Sequence, residues 1–350
     1  MASELVAITT QPGNSGSEAE KITQLPILLL HVHENCNCRC QMCDIWQRRD
    51  GRELSAADFE RHRDSLLRLG VRNVVLTGGE PLLHRDLSRL CLLIRECGAR
   101  ITLLTTGLLL AKRASIVAEY IDEVIVSLDG PEEVHDRVRR VSGAFRIMGE
   151  GIAAVRLEKP GMPVHGRTTV QKANHRRLRS TVHAARLLGL DSISFLAADL
   201  TSQAFNRELI WPQERQNQIA LMEEEIDALE QEIDLLTREH AEDLRSKFIA
   251  ESETRLRQIA RRFREHLGQL PPLAPVCNAP WVSAVVEVDG SVRPCFFHQS
   301  VGNANTATLD EAINSGEARQ FRATLNVSEN PICRRCVCSL NYKPPPARST

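Results

Sequence analysis

Seven of the eleven cysteines in this 350-residue chain fall into two spaced sets. The first lies in NCNCRCQMCDIW, residues 35–46, where Cys36, Cys40 and Cys43 form C-x3-C-x2-C. A short loop at that spacing can wrap three thiolates round one face of a cubic 4Fe-4S cluster. A structural zinc would instead want four protein ligands. Cys38 could supply the fourth only by pointing the same way as the ligands on both sides of it. An iron without a protein ligand is chemically useful, because a small molecule with an amine and a carboxylate can chelate it. The second set, Cys277, Cys295, Cys333 and Cys336, reads C-x17-C, a gap, then C-x2-C, with Gly290-x4-Cys295 supplying a turn. Four thiolates satisfy either a fully ligated cluster or a structural zinc. A fully ligated cluster has no free iron for substrate, so it suits electron relay or structure. Cys338 could replace Cys277 in this set. Cys91 and Cys97 lie on an amphipathic pattern and read as small core residues.

Composition narrows the setting. Lys+Arg 44 against Asp+Glu 45 gives no field that would draw nucleic acid or an acidic membrane. At 42% hydrophobic the chain can build a substantial core plus a smaller second unit. The first 25 residues lack a basic start followed by a long apolar run, and PILLLHV is too short to cross a bilayer, so the expectation is a soluble cytoplasmic protein. In a reducing compartment, clustered cysteines bind metal or do redox work more often than they form disulfides.

The elements that must position these thiolates alternate. Apolar runs at 27–32, 73–78, 101–106, 123–129, 166–171 and 192–197 are separated by helical patterns such as RDLSRLCLLIRECG and LRSTVHAARLLG. Near-continuous apolar strands between helices predict a parallel sheet, and six such units predict an α/β fold of TIM-like (β/α)6 type, a barrel or a partial barrel, with chemistry at the carboxyl ends of the strands. The expected organisation is a disordered tail (1–25), a core (26–205), a long helical, coiled-coil-like insertion (206–270), a small cysteine-rich C-terminal domain (271–340) and a tail (341–350). No Pro or Gly interrupts 213–267, and Ile219, Met222, Ile226, Leu229, Ile233 and Leu236 recur at steps of three and four, a heptad seam. Phe248, Leu256, Ile259 and Phe263 could fold back on it as a hairpin. Such an arm predicts packing or a homodimer contact. In the last domain, SAVVEVDGSVRP predicts a hairpin turning at Asp289-Gly290.

C-x3-C-x2-C after the first run, Gly78-Gly79-Glu80-Pro81 after the second, and VSLDGPEEVHDRVRR (126–140) at the fourth together resemble the radical S-adenosylmethionine superfamily. The C-terminal set resembles its SPASM domain, in the shortened twitch form that carries one further 4Fe-4S cluster. The resemblance implies that the open iron binds S-adenosylmethionine. Reductive cleavage then gives a 5′-deoxyadenosyl radical that abstracts hydrogen from substrate, with an electron supplied by a flavodoxin or ferredoxin and a second cluster as relay. It implies that Gly78 and Gly79 let backbone approach the cofactor, that Glu80 accepts from the methionine ammonium, that Ser127 and Asp129 reach the ribose and that Arg167 pairs with the methionine carboxylate. Met42 stands where relatives carry an aromatic residue near adenine. His33 and His298 are the candidate proton donors or substrate contacts, with hydrogen-bonded packing histidines as the plainer alternative. The basic run KANHRRLRS (172–180) reads as a solvated helix start or a grip on a substrate anion. Few residues precede Cys36, which tilts the substrate toward a small molecule or a peptide presented by a separate protein. The rival class is a non-catalytic zinc or electron-transfer protein that docks a partner through its helical arm; the Gly-Gly-Glu turn has no purpose there.

Overall fold

The computed structural model describes residues 20–48, 50–204 and 209–343. The six apolar runs are strands: β1 (Ile27–His33), β2 (Asn73–Gly78), β3 (Arg100–Thr105), β4 (Glu123–Ser127), β5 (Val164–Val170) and β6 (Ser192–Ala197). Each pairs in parallel with the next, and helices connect them, giving the α/β partial barrel. Burial alternates along the strands. Leu28, Leu30, Val74, Leu76, Val124, Val126 and Ile193 are fully buried in the core, while their neighbours Leu29, His31, Val75, Ile125 and Arg167 keep exposed surface on the opposite, inner face. That half-open face is the place for a ligand.

Three further strands extend the sheet. β7 (Ser283–Val286) pairs in parallel with β1, and β8 (Ser291–Arg293) and β9 (Gly302–Asn303) follow antiparallel, giving the order β6-β5-β4-β3-β2-β1-β7-β8-β9. The β7–β8 hairpin turns at Asp289-Gly290 as the sequence implied, with Gly290 at φ +81° and the Ser291 N–H donating to Asp289 Oδ1 at 2.9 Å. The C-terminal unit is therefore built onto the barrel's own first strand. It also reaches the far side: Arg262, on the helix Glu253–His266 that packs on β6, donates to Arg334 O at 2.7 Å, and Arg255 bonds Ser339.

The fold-back hairpin is observed, but the seam expected in one long helix is divided. Four helices stand there, Gln213–Ile219, Glu223–Glu239, Ala241–Arg245 and Glu253–His266. Local competitors break the heptad run. The Glu225 carboxylate caps the Met222 N–H at 2.8 Å, Lys247 turns the chain at φ +63°, and Ile249 bridges to Ile193 at the free side of β6. Ile219, Ile226, Leu229, Ile233 and Leu236 are at most 1% exposed, packed with Leu256, Ile259 and Phe263 in a helical hairpin. The seam expected to serve a homodimer is thus consumed inside the chain, where the hairpin covers β6.

The tails also differ from expectation. Residues 1–19 and 344–350 lie outside the described residues. Ile22 and Leu25, assigned to the tail, are buried, and the Ile22 N–H donates to Asn314 Oδ1 at 2.8 Å. At the other end the Tyr342 N–H donates to Asn278 Oδ1 at 2.9 Å. No helix among the described residues is long and apolar enough to cross a membrane.

Because the seam is internal, Ile233→Ala is expected to cost about 2–5 kcal/mol in chemical denaturation while leaving the sedimentation coefficient of the folded protein unchanged. A change of oligomeric state on that substitution would return the seam to an intermolecular role.

Candidate functional site

The first cysteine set occupies the loop that leaves β1. All its thiols are free, Cys38 and Cys40 are buried, and Cys36 and Cys43 are partly exposed. The four are neighbours. Cys38 donates to Cys36 and Cys40, which pushes its own pKa up and lowers that of Cys40 to about 6, with the nearby Arg139 charge adding to the effect. Burial raises Cys43 to about 12. Asn37 Nδ2, in the same loop, is buried and without a partner. Soft sulfurs gathered beside an unspent donor fit a ligand held by three of them.

Three supports hold the loop. The strand end β2 forms the first: the Gly79 N–H donates to His33 O and the Glu80 N–H to Asn35 O, both at 2.8 Å. A Cβ on Gly78, at φ +120°, would stand 2.7 Å from His33 O, and one on Gly79 would stand 2.0 Å from Asn35 O. The glycines are required because the cysteine loop itself crosses there, a cause the sequence reading had placed in the cofactor. The helix Glu132–Arg139 forms the second support, with Val138 O and Arg139 O accepting from the Gln41 and Arg39 N–H at 3.1 and 3.2 Å. Trp211 and Arg215 form the third, bonding Asp44 and Gln41 O.

Two predicted cofactor contacts are sealed from any ligand. Glu80 is fully buried, and its carboxylate accepts from the Leu82 N–H (3.1 Å), Thr105 Oγ1 (2.8 Å), the Thr106 N–H (2.8 Å) and Thr106 Oγ1 (2.7 Å). With both oxygens occupied it braces the ends of β2 and β3 instead of receiving an ammonium. Burial pushes its pKa up, and the four donors oppose that. Asp129, expected at the ribose beside Ser127, is likewise fully buried beyond the end of β4. Its Oδ1 accepts from the Thr169 N–H at 3.2 Å, and its Oδ2 lies 2.6 Å from Arg139 Nε, an ion pair off the line of a hydrogen bond. Arg139 Nη1 in turn donates to Cys40 Sγ at 3.4 Å. Sequence reading missed Arg139; the signal was a carboxylate at a buried strand end, which demands a counter-charge within reach.

Other predicted residues stay on the open side. Arg167 is exposed on the inner face of β5, in register with the partly exposed Ser127 of β4. Met42 is half-buried against the core. His33 is held by the Asn35 N–H at 3.0 Å and lies 4.0 Å from Glu53; burial lowers its pKa. The basic run does not grip a free anion through Lys172 or Arg179: Lys172 pairs with Glu225, and Arg179 with Glu232 and Glu239. Cys91 is buried in the core, as expected.

The second set converges. Cys277, Cys295, Cys333 and Cys336 line one cavity with Pro275, Phe297 and Val327. In this apolar lining burial pushes the Cys295, Cys333 and Cys336 thiols up, Cys333 to about 11, so thiolates there call for a bound cation. His298 lines the same cavity, with its Nε2 3.3 Å from Cys333 Sγ and its ring packed 4.8 Å from that of Phe321. Cys338 stands outside the lining, with its carbonyl accepting from Cys336 Sγ at 2.9 Å, and burial pushes its own thiol up to about 11. Among the described residues no three His, Cys, Asp or Glu side chains are gathered as a single metal ion requires. Zinc would draw four sulfurs to about 3.8 Å of one another, from Zn–S bonds of about 2.3 Å; the wider cubane makes no such demand.

A parallel α/β partial barrel with a thiolate loop at the end of β1 and a four-cysteine cavity on an appended unit defines an iron–sulfur enzyme class. Comparison with known proteins agrees. The family model of the radical SAM superfamily matches residues 30–170, and that of the iron–sulfur cluster-binding SPASM domain matches residues 277–337. "PqqA peptide cyclase" of Ruegeria pomeroyi is 27% identical over 343 residues, covering 92% of this chain and 83% of the relative. "Fe-coproporphyrin III synthase" of Methanosarcina barkeri is 26% identical over 346 residues, covering 91% and 83%. Among solved structures, Streptococcus suis SuiB bound to S-adenosylmethionine superposes with a TM-score of 0.61 at 16% identity over 92% of this chain and 74% of that one, and the same protein is known with its precursor peptide SuiA. Native anSMEcpe with bound AdoMet gives 0.62 at 18% identity, covering 87% and 84%. The chain belongs to the radical SAM superfamily and ends in a SPASM-type domain, so it is an enzyme whose cofactors are 4Fe-4S clusters and S-adenosylmethionine.

The bracing role of Glu80 has a direct consequence. Glu80→Gln strands the Thr106 N–H against an amide and is expected to destabilise the cofactor-free protein by about 1–3 kcal/mol, measured by denaturant titration. A residue reserved for a cofactor ammonium would show no cost until S-adenosylmethionine is added.

Proposed function

We propose that Cys36, Cys40 and Cys43 hold a 4Fe-4S cluster whose remaining iron takes the amino and carboxylate groups of S-adenosylmethionine, and that Cys277, Cys295, Cys333 and Cys336 hold a second, fully ligated cluster. The observation that carries this reading is the β1–β7 pairing: the strand that ends in the first thiolate loop also anchors the unit that builds the second cavity. When bound and reduced by a small electron carrier such as flavodoxin or ferredoxin, the cofactor supplies a 5′-deoxyadenosyl radical for hydrogen abstraction from a C–H bond, and the second cluster offers a relay for the substrate's electron. The chain's own residues then bind and orient. Arg167 offers a cation to a carboxylate on the inner face, Ser127 a hydroxyl beside it, and Met42 an apolar contact at the cysteine loop. The Gly78-Gly79 backbone fixes the point from which the cysteine loop leaves β1.

The substrate we propose is a peptide. The similarity to a peptide cyclase over nearly the whole chain supports it, and the fold is shared with a protein solved in complex with its precursor peptide. The comparable likeness to a coproporphyrin-modifying enzyme makes a tetrapyrrole the alternative outcome of a substrate screen.

Anaerobically reconstituted protein is expected to carry roughly eight irons per chain, two cubanes, and to release 5′-deoxyadenosine from S-adenosylmethionine under dithionite. Replacing Cys36, Cys40 and Cys43 by Ala should abolish that release, whereas replacing Cys333 and Cys336 should remove about half the iron and spare the cleavage. Zinc in place of iron at both sites would overturn the assignment.

A further inference from the structure

The pair Asp129–Arg139 is costly and, for stability alone, unnecessary. Both side chains are buried, Asp129 completely and Arg139 to 9% exposure, and removing two such charges from water costs several kcal/mol per ion before their attraction returns anything. An apolar pair of similar volume would fill the space at lower cost. The pair is also aimed. Arg140, at φ +54°, ends the helix Glu132–Arg139, leaving Val138 O and Arg139 O to accept the loop's Gln41 and Arg39 N–H, so the last helical side chain enters the cysteine loop and donates to Cys40 Sγ at 3.4 Å. Asp129 is locked from behind: its Oδ1 takes the Thr169 N–H, its own N–H donates to His135 Nδ1 at 3.3 Å, and its carbonyl accepts from Asn174 Nδ2 at 3.0 Å.

We propose that Arg139 is a positioning residue for the cluster held by Cys36, Cys40 and Cys43. It donates to the Cys40 sulfur and, balanced by Asp129, sets the charge that the cluster meets on reduction. This rests on the ligand assignment proposed above. The reduced cluster carries one more negative charge than the oxidised one, so a cation donating to a ligand sulfur favours reduction, and a carboxylate behind it moderates that effect. The two residues therefore pull the potential in opposite directions.

The test is a redox titration of the reconstituted holoenzyme followed by electron paramagnetic resonance, tracking the signal that changes on adding S-adenosylmethionine and using the second cluster's signal as internal reference. Arg139→Gln is expected to make the responsive cluster about tenfold harder to reduce, a shift of about 59 mV to more negative potential for a one-electron couple. Asp129→Asn should shift it the other way, and the second cluster should not move in either variant. If Arg139→Gln fails to fold with Asp129 unpaired, the double variant Arg139→Met/Asp129→Leu removes both charges, and the lost sulfur donor should still leave a more negative potential. A responsive signal with unchanged potential in the folded variants would overturn the inference. Wild-type protein with no signal responsive to S-adenosylmethionine would remove the ligand assignment, and this inference with it.

Discussion

The crossing of the β1 exit over Gly78 and Gly79 is the contact on which the site depends. Backbone meets backbone there with no room for a side chain, 2.0 Å being the distance at which a Cβ on Gly79 would meet Asn35 O. Two hydrogen bonds hold the crossing shut, and Glu80, immediately downstream, sinks its carboxylate into four donors, three of them at the end of β3 and the fourth the Leu82 N–H. The cysteine loop thus starts from a fixed point. Its sulfurs are then aimed by the helix Glu132–Arg139 on one side and by Trp211 and Arg215 on another. Precise placement of soft ligands in a loop normally costs conformational entropy on binding; here the loop is fixed by its own chain.

The strands were legible because parallel strands alternating with helices read as short apolar runs, and their ends follow from where that run stops. The cysteine sets were legible for a similar reason, since few other purposes demand that much thiol at such spacing in one loop. The motif residues were legible as positions and misleading as roles. Glu80 and Asp129 carry charge beside a presumed ligand, which invites a contact with that ligand, yet their burial gives the charge to the protein's own donors. Sequence shows which residue types gather near a site; it does not show which face of a strand end is sealed.

The helical insertion failed differently. A heptad spacing reports that one side of a segment is buried, and it holds equally for a coiled coil and for several short helices laid on a sheet. Met222, Lys247 and Ser252 break the segment through capping and turn geometry too local for the repeat to record. The seam packs on the helix Glu253–His266, which covers β6, the work done by a connecting helix elsewhere in the barrel. Nor could the parallel pairing of β7 with β1 be read, because SAVV is too short to announce a partner some 250 residues away, and register comes only with the docked surface.

That docking bears on the chemistry. A partial barrel leaves its first and last strands unpaired, and open edges are a liability. Here β7 satisfies β1, while Phe248 O accepts from the Ile193 N–H of β6, the Ala250 N–H donates to Ile193 O, and the helix Glu253–His266 reaches across to Arg334. The element that closes the edge is the same one that carries the four-cysteine cavity. Closing the sheet and placing the second thiolate set therefore share one solution. A unit placed merely to hold a second cluster could hang on a linker, but one that also completes the sheet has its distance to the first thiolate loop fixed by strand register. The two thiolate sets are thereby tied to adjacent strands of one continuous sheet, β1 and β7.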